Sequence, residues 1–324
     1  MGRIQRRQFL LSAGALLAIP RRAFAQQSST IRRIGFINGG GGAYVDDLRK
    51  GMRDLGYEAG KDYVIEVRVA DGRYERLPAM AADLVNRKVD VIVTSTTPAT
   101  DAARRATSSI PIVMALVGDP VASGFVASLA RPGGNVSGLS LANTDVSSKW
   151  LELARIVAPG SQIGVLADAN QPTAKWHLKN IQNAAQQLGI ELRFAHVPAA
   201  NDIESALASL ATERVTTVIV LPSGMFAFNR KQIAQSAAKL RIASIATSRE
   251  YAESGALLSY GQDYRAFVRR SAIYVDRIFK GAKPGDLPVE QPIIFELLIN
   301  RATAGQLGLT VPRELLLRAD EFVE

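Results

Sequence analysis

The sequence has no cysteine and only two histidines, His177 and His196. Without cysteine there are no disulfides, no thiolate catalysis, no cysteine-based zinc site and no lipid anchor on a cysteine after a leader. Two histidines leave little for a histidine-rich metal centre or a Ser-His-Asp triad. We expect both to be surface or packing residues. These absences argue against an enzyme, and they predict neither a metal nor a cofactor.

The first 25 residues are typical of an export signal. They have a basic start, an apolar run from Phe9 to Ile19 and small residues at Ala23-Phe24-Ala25, so cleavage is expected near Ala25, before Gln26. Arg6-Arg7 resembles a twin-arginine signal, although Gln5 stands where that signal usually has Ser or Thr. The alternative is an uncleaved anchor, but the apolar run is about half of the ~20 residues that span a bilayer.

Positive charge is concentrated in this leader. It holds five arginines and no acidic residue, so without it the formal net charge falls from +9 to +4. No long run of lysine and arginine remains in the rest of the chain. We therefore expect no nucleic-acid partner.

The remaining chain alternates short Val/Ile-rich runs with amphipathic segments, which is typical of an α/β fold with parallel sheets. The predicted strands are 32–37, 63–70, 89–95, 110–117, 162–168, 190–198, 215–222 and 242–247. The predicted helices are 44–56, 76–88, 98–107, 173–189, 202–214, 229–241 and 265–281.

An internal repeat divides this pattern in two. After Leu55-Gly56 the chain predicts strand, helix, strand, helix and strand, and the same order follows Leu188-Gly189. The repeat favours two similar βαβ lobes over one long sheet. Three segments that we interpret as connections between the lobes are 131–145, 255–264 and 283–300.

Several stretches together resemble a known family. The most specific are Gly118-Asp119-Pro120-Val121 and the LARPGGN run at 129–135, and others are IGFINGGG, GALLSYGQDY and the terminal LLLRADEFVE. Over essentially the whole chain after the leader, the sequence resembles periplasmic substrate-binding proteins of ABC transporters, in the tryptophan/tyrosine-type branch.

The resemblance implies a type I periplasmic-binding fold, in which two doubly wound parallel-sheet lobes are joined by three crossovers and close around a ligand. It implies lobes at 31–141 plus 262–288 and at 142–261 plus 289–324, and a location in the periplasm. It also implies a monomer that delivers a small molecule to a membrane permease driven by a separate ATPase.

The candidate binding residues follow from a general rule. In open α/β sheets, ligands lie beyond the carboxyl ends of the strands, and between two lobes these ends face a cleft. The rule selects Asn38, Gly40, Gly41, Tyr44, Ser95, Thr96, Thr97 and Asp119 from the first lobe, Asp168, Asn170, Trp176, Ser223 and Phe226 from the second, and Tyr260 and Asp263 at the second crossover.

Polar members of this set suit the charged groups of an amino acid. Ser95, Thr96 and Thr97 precede a helix, so their hydroxyls and the helix N–H groups could hold a carboxylate, or they could simply cap that helix. Asp119 or Asp263 could accept hydrogen bonds from an ammonium group. For Asp119 the alternative is a turn residue before Pro120.

Aromatic members of the set predict an apolar pocket. Tyr44, Phe226 and Trp176 could surround an apolar or aromatic ligand side chain. For Trp176 the alternative is packing on its own helix.

The four glycines at 39–42 do not form a nucleotide motif. Tyr44 stands where G-x-G-x-x-G needs its last glycine, and the Lys-Ser/Thr of a P-loop is missing. We interpret the run as a lip of the interlobe cleft that lets a ligand approach backbone N–H groups, and the alternative is a flexible turn.

The sequence therefore predicts an extracytoplasmic receptor for a small organic ligand that carries a carboxylate, either an amino acid or an aromatic acid. A ligand-responsive periplasmic sensor would have the same fold. An enzyme on this scaffold is the third hypothesis.

Overall fold

The computed structural model describes residues 31–40, 44–141, 146–160, 162–171, 173–291 and 295–324. The predicted export signal and Gly41 lie outside these ranges. Among the described residues, no helix combines the length and the apolar character needed to cross a membrane.

The first sheet is parallel throughout, and its strand order is β2-β1-β3-β4-β5. In its register, Arg32 pairs with Tyr63 on one side of β1, and Ile34 pairs with Val91 on the other. Its strands are β1 (Arg32–Asn38), β2 (Tyr63–Val69), β3 (Val91–Thr94), β4 (Ile112–Val117) and β5 (Val136–Ser140).

The second sheet has the order β12-β11-β10-β9-β8-β6-β7. It is parallel except for the antiparallel pair β10–β11, in which Leu258 lies opposite Ile299. Its strands are β6 (Gln162–Asp168), β7 (Leu192–Val197), β8 (Val215–Val220), β9 (Ala243–Ala246), β10 (Leu258–Gly261), β11 (Glu296–Asn300) and β12 (Glu321–Val323).

Helices cover both sheets. They are α1 (Tyr44–Asp54), α2 (Leu77–Asn86), α3 (Thr97–Ala106), α4 (Val146–Val157), α5 (Ala174–Leu188), α6 (Ile203–Thr212), α7 (Gly224–Phe228), α8 (Arg230–Lys239), α9 (Arg249–Glu253), α10 (Tyr264–Phe279), α11 (Arg301–Leu307) and α12 (Arg313–Arg318).

Burial explains why the central strands are uniformly apolar. Every residue of β3 and β4 is buried, because helices lie on both faces of the sheet. α1 and α10 pack on one face, and α2 and α3 pack on the other. The second sheet has its own core on each face, and Trp150 of α4 is the largest fully buried side chain among the described residues.

The structure confirms the predicted fold of two doubly wound, mainly parallel lobes. The first lobe is the sheet β1–β5 with the helices packed on it, including α10, and the second lobe is the sheet β6–β12 with its helices. The described chain passes between them after β5, after β10 and before β11. The exact residue boundaries given above for the lobes stay a prediction.

The three segments interpreted as connections are more ordered than predicted. They contain β5, β10 and β11, which the sequence did not predict as strands, and the chain passes from one lobe to the other within each segment. These strands have only four or five residues, and β5 reads VSGLS, with small residues in place of a β-branched run. The predicted strands and helices elsewhere match the structure to within a few residues.

Candidate functional site

A cavity lies where the carboxyl ends of strands from both lobes meet. It encloses about 560 Å³ of empty space, including its opening to solvent. Its walls are formed by Asn38, Gly40, Tyr44, Ser95, Thr96, Thr97, Leu116, Gly118 and Leu141 with Tyr264 of α10, and from the second lobe by Gln171, Thr173, His177, Pro222, Ser223, Gly224, Ala227, Thr247 and Tyr251.

The start of α3 forms one polar wall of this cavity. Thr96 has an extended backbone, and its Oγ1 accepts a hydrogen bond from the N–H of Ala99 at 3.3 Å, so it caps the helix. The Ser95 hydroxyl donates to Asn38 Oδ1 at 2.8 Å, and the N–H of Gly40 donates to the same oxygen at 3.0 Å. Asn38 thus ties the ends of β1 and β3 together beside a helix N-terminus, which favours an anion.

Three tyrosines form an aromatic wall. Tyr44, Tyr251 and Tyr264 all line the cavity and are buried. Burial raises the pKa of each phenol, that of Tyr264 to about 12, so all three stay neutral at physiological pH. The Tyr264 hydroxyl lies 3.4 Å from Thr247 Oγ1.

The loop from β6 and the first turn of α5 supply another polar wall. Gln171, Thr173 and His177 contribute to it. Burial lowers the pKa of His177 to about 4, so its imidazole is neutral at pH 7. His196 is exposed on β7.

This burial predicts a pH dependence of stability. Histidine titrates near 6.5 in the unfolded chain and about 4 in the folded one, so the unfolded state binds more protons between these pH values. The free energy of unfolding should therefore fall as the pH drops from about 6.5 to 4, by on the order of 3 kcal/mol from this residue. Thermal denaturation of the ligand-free protein from pH 7 to 4.5 should show a shallower slope for His177→Gln. His196→Gln should keep the wild-type slope, and equal slopes in all three proteins would contradict a neutral buried His177.

The two lobes touch at one side of the cavity through backbone atoms. A Cβ placed on Gly40 would lie 2.7 Å from the carbonyl oxygen of Gly224 and 2.9 Å from its Cα. A Cβ on Gly72 would lie 2.8 Å from the Cα of Met225. Side chains at these two glycines would therefore hold the lobes apart.

Tyr74 bridges the same gap with hydrogen bonds. Its hydroxyl donates to Asp168 Oδ2 at 3.1 Å, lies 3.2 Å from Ser223 Oγ and accepts from the N–H of Met225 at 2.9 Å. Ser223 also donates to Asp168 Oδ2, at 2.6 Å. Burial, followed by the charge of Asp168, raises the pKa of the Tyr74 phenol. We call this set of contacts the Tyr74 bridge.

The structure brings seven of the predicted binding residues together in the cavity wall. They are Asn38, Gly40, Tyr44, Ser95, Thr96, Thr97 and Ser223. The strand-end rule that selected them applies because most lie within a few residues of the end of β1, β3 or β8.

The two predicted ammonium acceptors lie elsewhere. Asp119 accepts hydrogen bonds from the N–H groups of Val121 and Ala122 at 3.0 and 2.9 Å, in the turn that the alternative described. Asp263 caps α10 by accepting from the N–H groups of Arg265 and Ala266. Each carboxylate is thus engaged with its own backbone outside the cavity wall.

The remaining predicted residues also fall outside the wall. Asp168 belongs to the Tyr74 bridge, and Asn170 donates to the carbonyl of Pro198. Phe226 is fully buried in the core of the second lobe. Trp176 lines a separate groove with Asp119 and meets the ring of His177 edge-on at 4.9 Å, and Tyr260 stacks on Phe295 at 5.7 Å.

Several wall residues were missed by the sequence reasoning. Tyr251 lies one helical turn beyond the end of β9, and Tyr264 begins α10 after β10, a strand that the sequence did not reveal. His177 lies four residues after Thr173, the N-cap residue of α5, so the two residues are neighbours on the same face of this helix. Helix spacing beyond the strand end was the available signal for His177.

A cavity between two mainly parallel lobes, built from strand ends, is typical of a two-lobed α/β receptor for a small ligand. The family described as "ABC transporter substrate binding protein" matches residues 36–323, and the chain belongs to this family. The resemblance stated from the sequence is thereby confirmed. Members of the family are binding proteins rather than enzymes, and they typically work outside the cytoplasm.

Three relatives illustrate the similarity. A tyrosine-binding protein from Clostridioides difficile is 29% identical over 263 residues, covering 80% of this chain and 75% of the relative. An L-Trp complex of an ABC domain from Streptococcus pneumoniae has a TM-score of 0.84 at 24% identity, covering 91% of this chain and all of the other. The ligand-free, open structure of a substrate binding protein with adhesive properties from Clostridium difficile has a TM-score of 0.63 at 25% identity, covering 91% and 99%.

Proposed function

We propose that this protein captures an aromatic amino acid in the interlobe cavity and delivers it, as a monomer in the periplasm, to an ABC permease. The observation that carries the proposal is the pairing in one cavity of a helix N-terminus with three neutral tyrosines. The relative named for tyrosine binding supports the same ligand class.

The polar wall at α3 suits the ligand carboxylate. The helix N-terminus and the hydroxyl of Thr97 offer donors there. The hydrogen bonds that Asn38 Oδ1 accepts from Ser95 and Gly40 hold the surrounding backbone in place before the ligand arrives.

The tyrosine wall suits the ligand ring. Aromatic faces and edges attract one another beyond simple burial of area, so three tyrosine rings in one wall favour an aromatic ligand side chain. Leu116 and Leu141 extend this apolar surface from the first lobe.

Closure of the lobes completes the site. The Gly40–Gly224 contact and the Tyr74 bridge join the lobes directly. The similarity to the L-Trp complex, with a TM-score of 0.84, exceeds that to the open structure, with 0.63, at nearly equal identity. Both facts support a receptor that functions by closing around its ligand.

A thermal-shift panel tests the ligand class. Because a ligand that binds only the folded state stabilises it by mass action, tyrosine at about 100 times its Kd should add about 2.7 kcal/mol to the free energy of unfolding. For a protein of this size, that corresponds to a rise in Tm of about 4 °C. The panel should contain tyrosine, tryptophan and phenylalanine, with lysine and ribose as controls.

One outcome of the panel would decide against the proposal. A shift caused by lysine or ribose but by no aromatic amino acid would overturn the ligand class. Mass spectrometry of small molecules that co-purify with the native protein would then identify the ligand actually bound.

A further inference from the structure

Two buried polar side-chain atoms in the cavity wall lack a hydrogen-bond partner in the described part of the chain. The Nδ1 atom of His177 and the Oε1 atom of Gln171 are buried, and neither has a hydrogen-bond partner in the described part of the chain. The residues are only 1% and 9% exposed, and both line the cavity. A buried polar group without a partner is unfavourable in a native protein and requires an explanation.

Gln171 and His177 are positioned by α5 of the second lobe, and His177 also lies close to Gly118 of the first lobe. Gln171 precedes α5, and His177 lies in its first turns with Thr173 one turn earlier. A Cβ placed on Gly118 of the first lobe would lie 3.9 Å from His177 Nε2 and 3.5 Å from the Thr173 methyl carbon. The imidazole therefore lies at the junction of the lobes, where closure removes water from it.

Their chemistry selects a particular partner. An amide oxygen only accepts hydrogen bonds, and a neutral imidazole offers one nitrogen that accepts. Neither group carries charge, since burial keeps His177 unprotonated. A buried ammonium ion needs charged partners to offset its desolvation, whereas an O–H or N–H group of a neutral aromatic ring needs only an acceptor.

We infer that Gln171 and His177 form the specificity-determining end of the pocket, and that they accept a hydrogen bond from a neutral O–H or N–H group on the ligand's aromatic side chain. The inference rests on the proposed function and narrows it: a phenol or indole is preferred over an unsubstituted phenyl ring. A site with buried acceptors discriminates strongly against an analogue that lacks the donor, because the acceptors then stay unpaired.

Calorimetry on the full exported protein tests this with three ligands: tyrosine, phenylalanine and 3-(4-hydroxyphenyl)propionate, which keeps the phenol but lacks the amino group. The wild type should bind tyrosine at least about tenfold more tightly than phenylalanine. His177→Leu should lose that preference, mainly through weaker tyrosine binding. His177→Gln should retain part of it, and His196→Gln, at the exposed histidine, should match the wild type.

The melting temperature of the ligand-free variants separates this role from a structural one. His177→Leu removes an unpaired polar group, so it should fold with an unchanged or higher Tm at pH 7. The same change at Gln171, as Gln171→Leu, provides a second variant with the same expected loss of preference. A large drop in Tm in both variants would indicate a structural role and overturn the inference.

Comparison of the three ligands shows which group of the ligand His177 and Gln171 bind. If His177→Leu weakens tyrosine and phenylalanine equally and spares the propionate, the partner is the ammonium group and the inference is wrong. Equal wild-type affinity for tyrosine and phenylalanine would also overturn it while leaving the proposed function intact. If the wild type binds neither amino acid, the proposed function fails and the inference falls with it.

Discussion

Replacement of Gly40 by leucine should lower the affinity for the ligand about 100-fold while leaving the ligand-free protein folded. A Cβ at this position would lie 2.7 Å from the carbonyl oxygen of Gly224, a backbone atom that cannot rotate away. Overpacking of this kind costs up to about 3 kcal/mol, which corresponds to roughly a 100-fold change in Kd. The cost falls on the closed form, because the two residues belong to different lobes.

Gly134→Leu is the matched control for this experiment. Gly134 is a glycine of the first lobe too, but it is exposed whereas Gly40 is buried, and a Cβ there would meet nothing within 4 Å. Calorimetry should therefore give wild-type affinity for Gly134→Leu and a Tm close to wild type for both ligand-free variants. If Gly40→Leu binds as tightly as Gly134→Leu, the Gly40–Gly224 contact has no part in closure.

Loss of the Tyr74 hydroxyl should weaken binding about tenfold without any direct contact being lost between protein and ligand. Tyr74→Phe removes the acceptor for the N–H of Met225 and the donor to Asp168, both on the second lobe. Hydrogen bonds to a charged group contribute about 1.5–3 kcal/mol, and part of this is recovered from water in the open form. The change should appear mainly as faster dissociation, measured by stopped-flow fluorescence.

Tyr57→Phe provides the corresponding control. The Tyr57 hydroxyl also donates to an aspartate, Asp276, at 2.8 Å, but both residues lie in the first lobe. This variant should lose some stability and keep the wild-type dissociation rate. Small-angle scattering should show a larger radius of gyration for the Tyr74 variant at subsaturating ligand, and identical rates in the two variants would remove the Tyr74 bridge from the closing mechanism.

Much of the fold was accessible from the sequence because the signals were local. Runs such as IVMALV in β4 are uniformly apolar, since helices bury both faces, and the repeated order of elements predicted two lobes. The antiparallel pair β10–β11 was not accessible. β11 lies about 35 residues beyond β10 in the chain, and α10, which lies between them in the chain, packs on the other lobe.

Some residues of the candidate site could also be predicted from the sequence, and others could not. Residues at strand ends, such as Asn38, Ser95 and Ser223, reached the cavity wall because the strand-end rule is geometric. The acidic residues Asp119 and Asp263 did not, because each accepts hydrogen bonds from its own turn or helix start. Local capping competes with ligand binding for a carboxylate, and the sequence alone cannot rank the two.

The role of His177 in the cavity wall could not be predicted for a different reason. A lone histidine on an amphipathic helix is usually a packing residue, and the spacing of His177 from the end of β6 is too weak a signal to outweigh that interpretation. Its place in the cavity wall depends on the angle at which α5 meets the first lobe near Gly118, a tertiary property.

The proposed function requires that the interlobe cavity captures an aromatic amino acid. Titration of L-tyrosine into the native protein, measured by calorimetry in parallel with Gly40→Leu and Gly134→Leu, tests it most directly. We predict saturable binding at one site with a Kd in the micromolar range or below for the wild type and Gly134→Leu, and about 100-fold weaker binding for Gly40→Leu. An absence of binding to the wild type at millimolar tyrosine, tryptophan and phenylalanine would contradict capture of an aromatic amino acid, and equal binding by all three proteins would exclude the Gly40–Gly224 contact from closure.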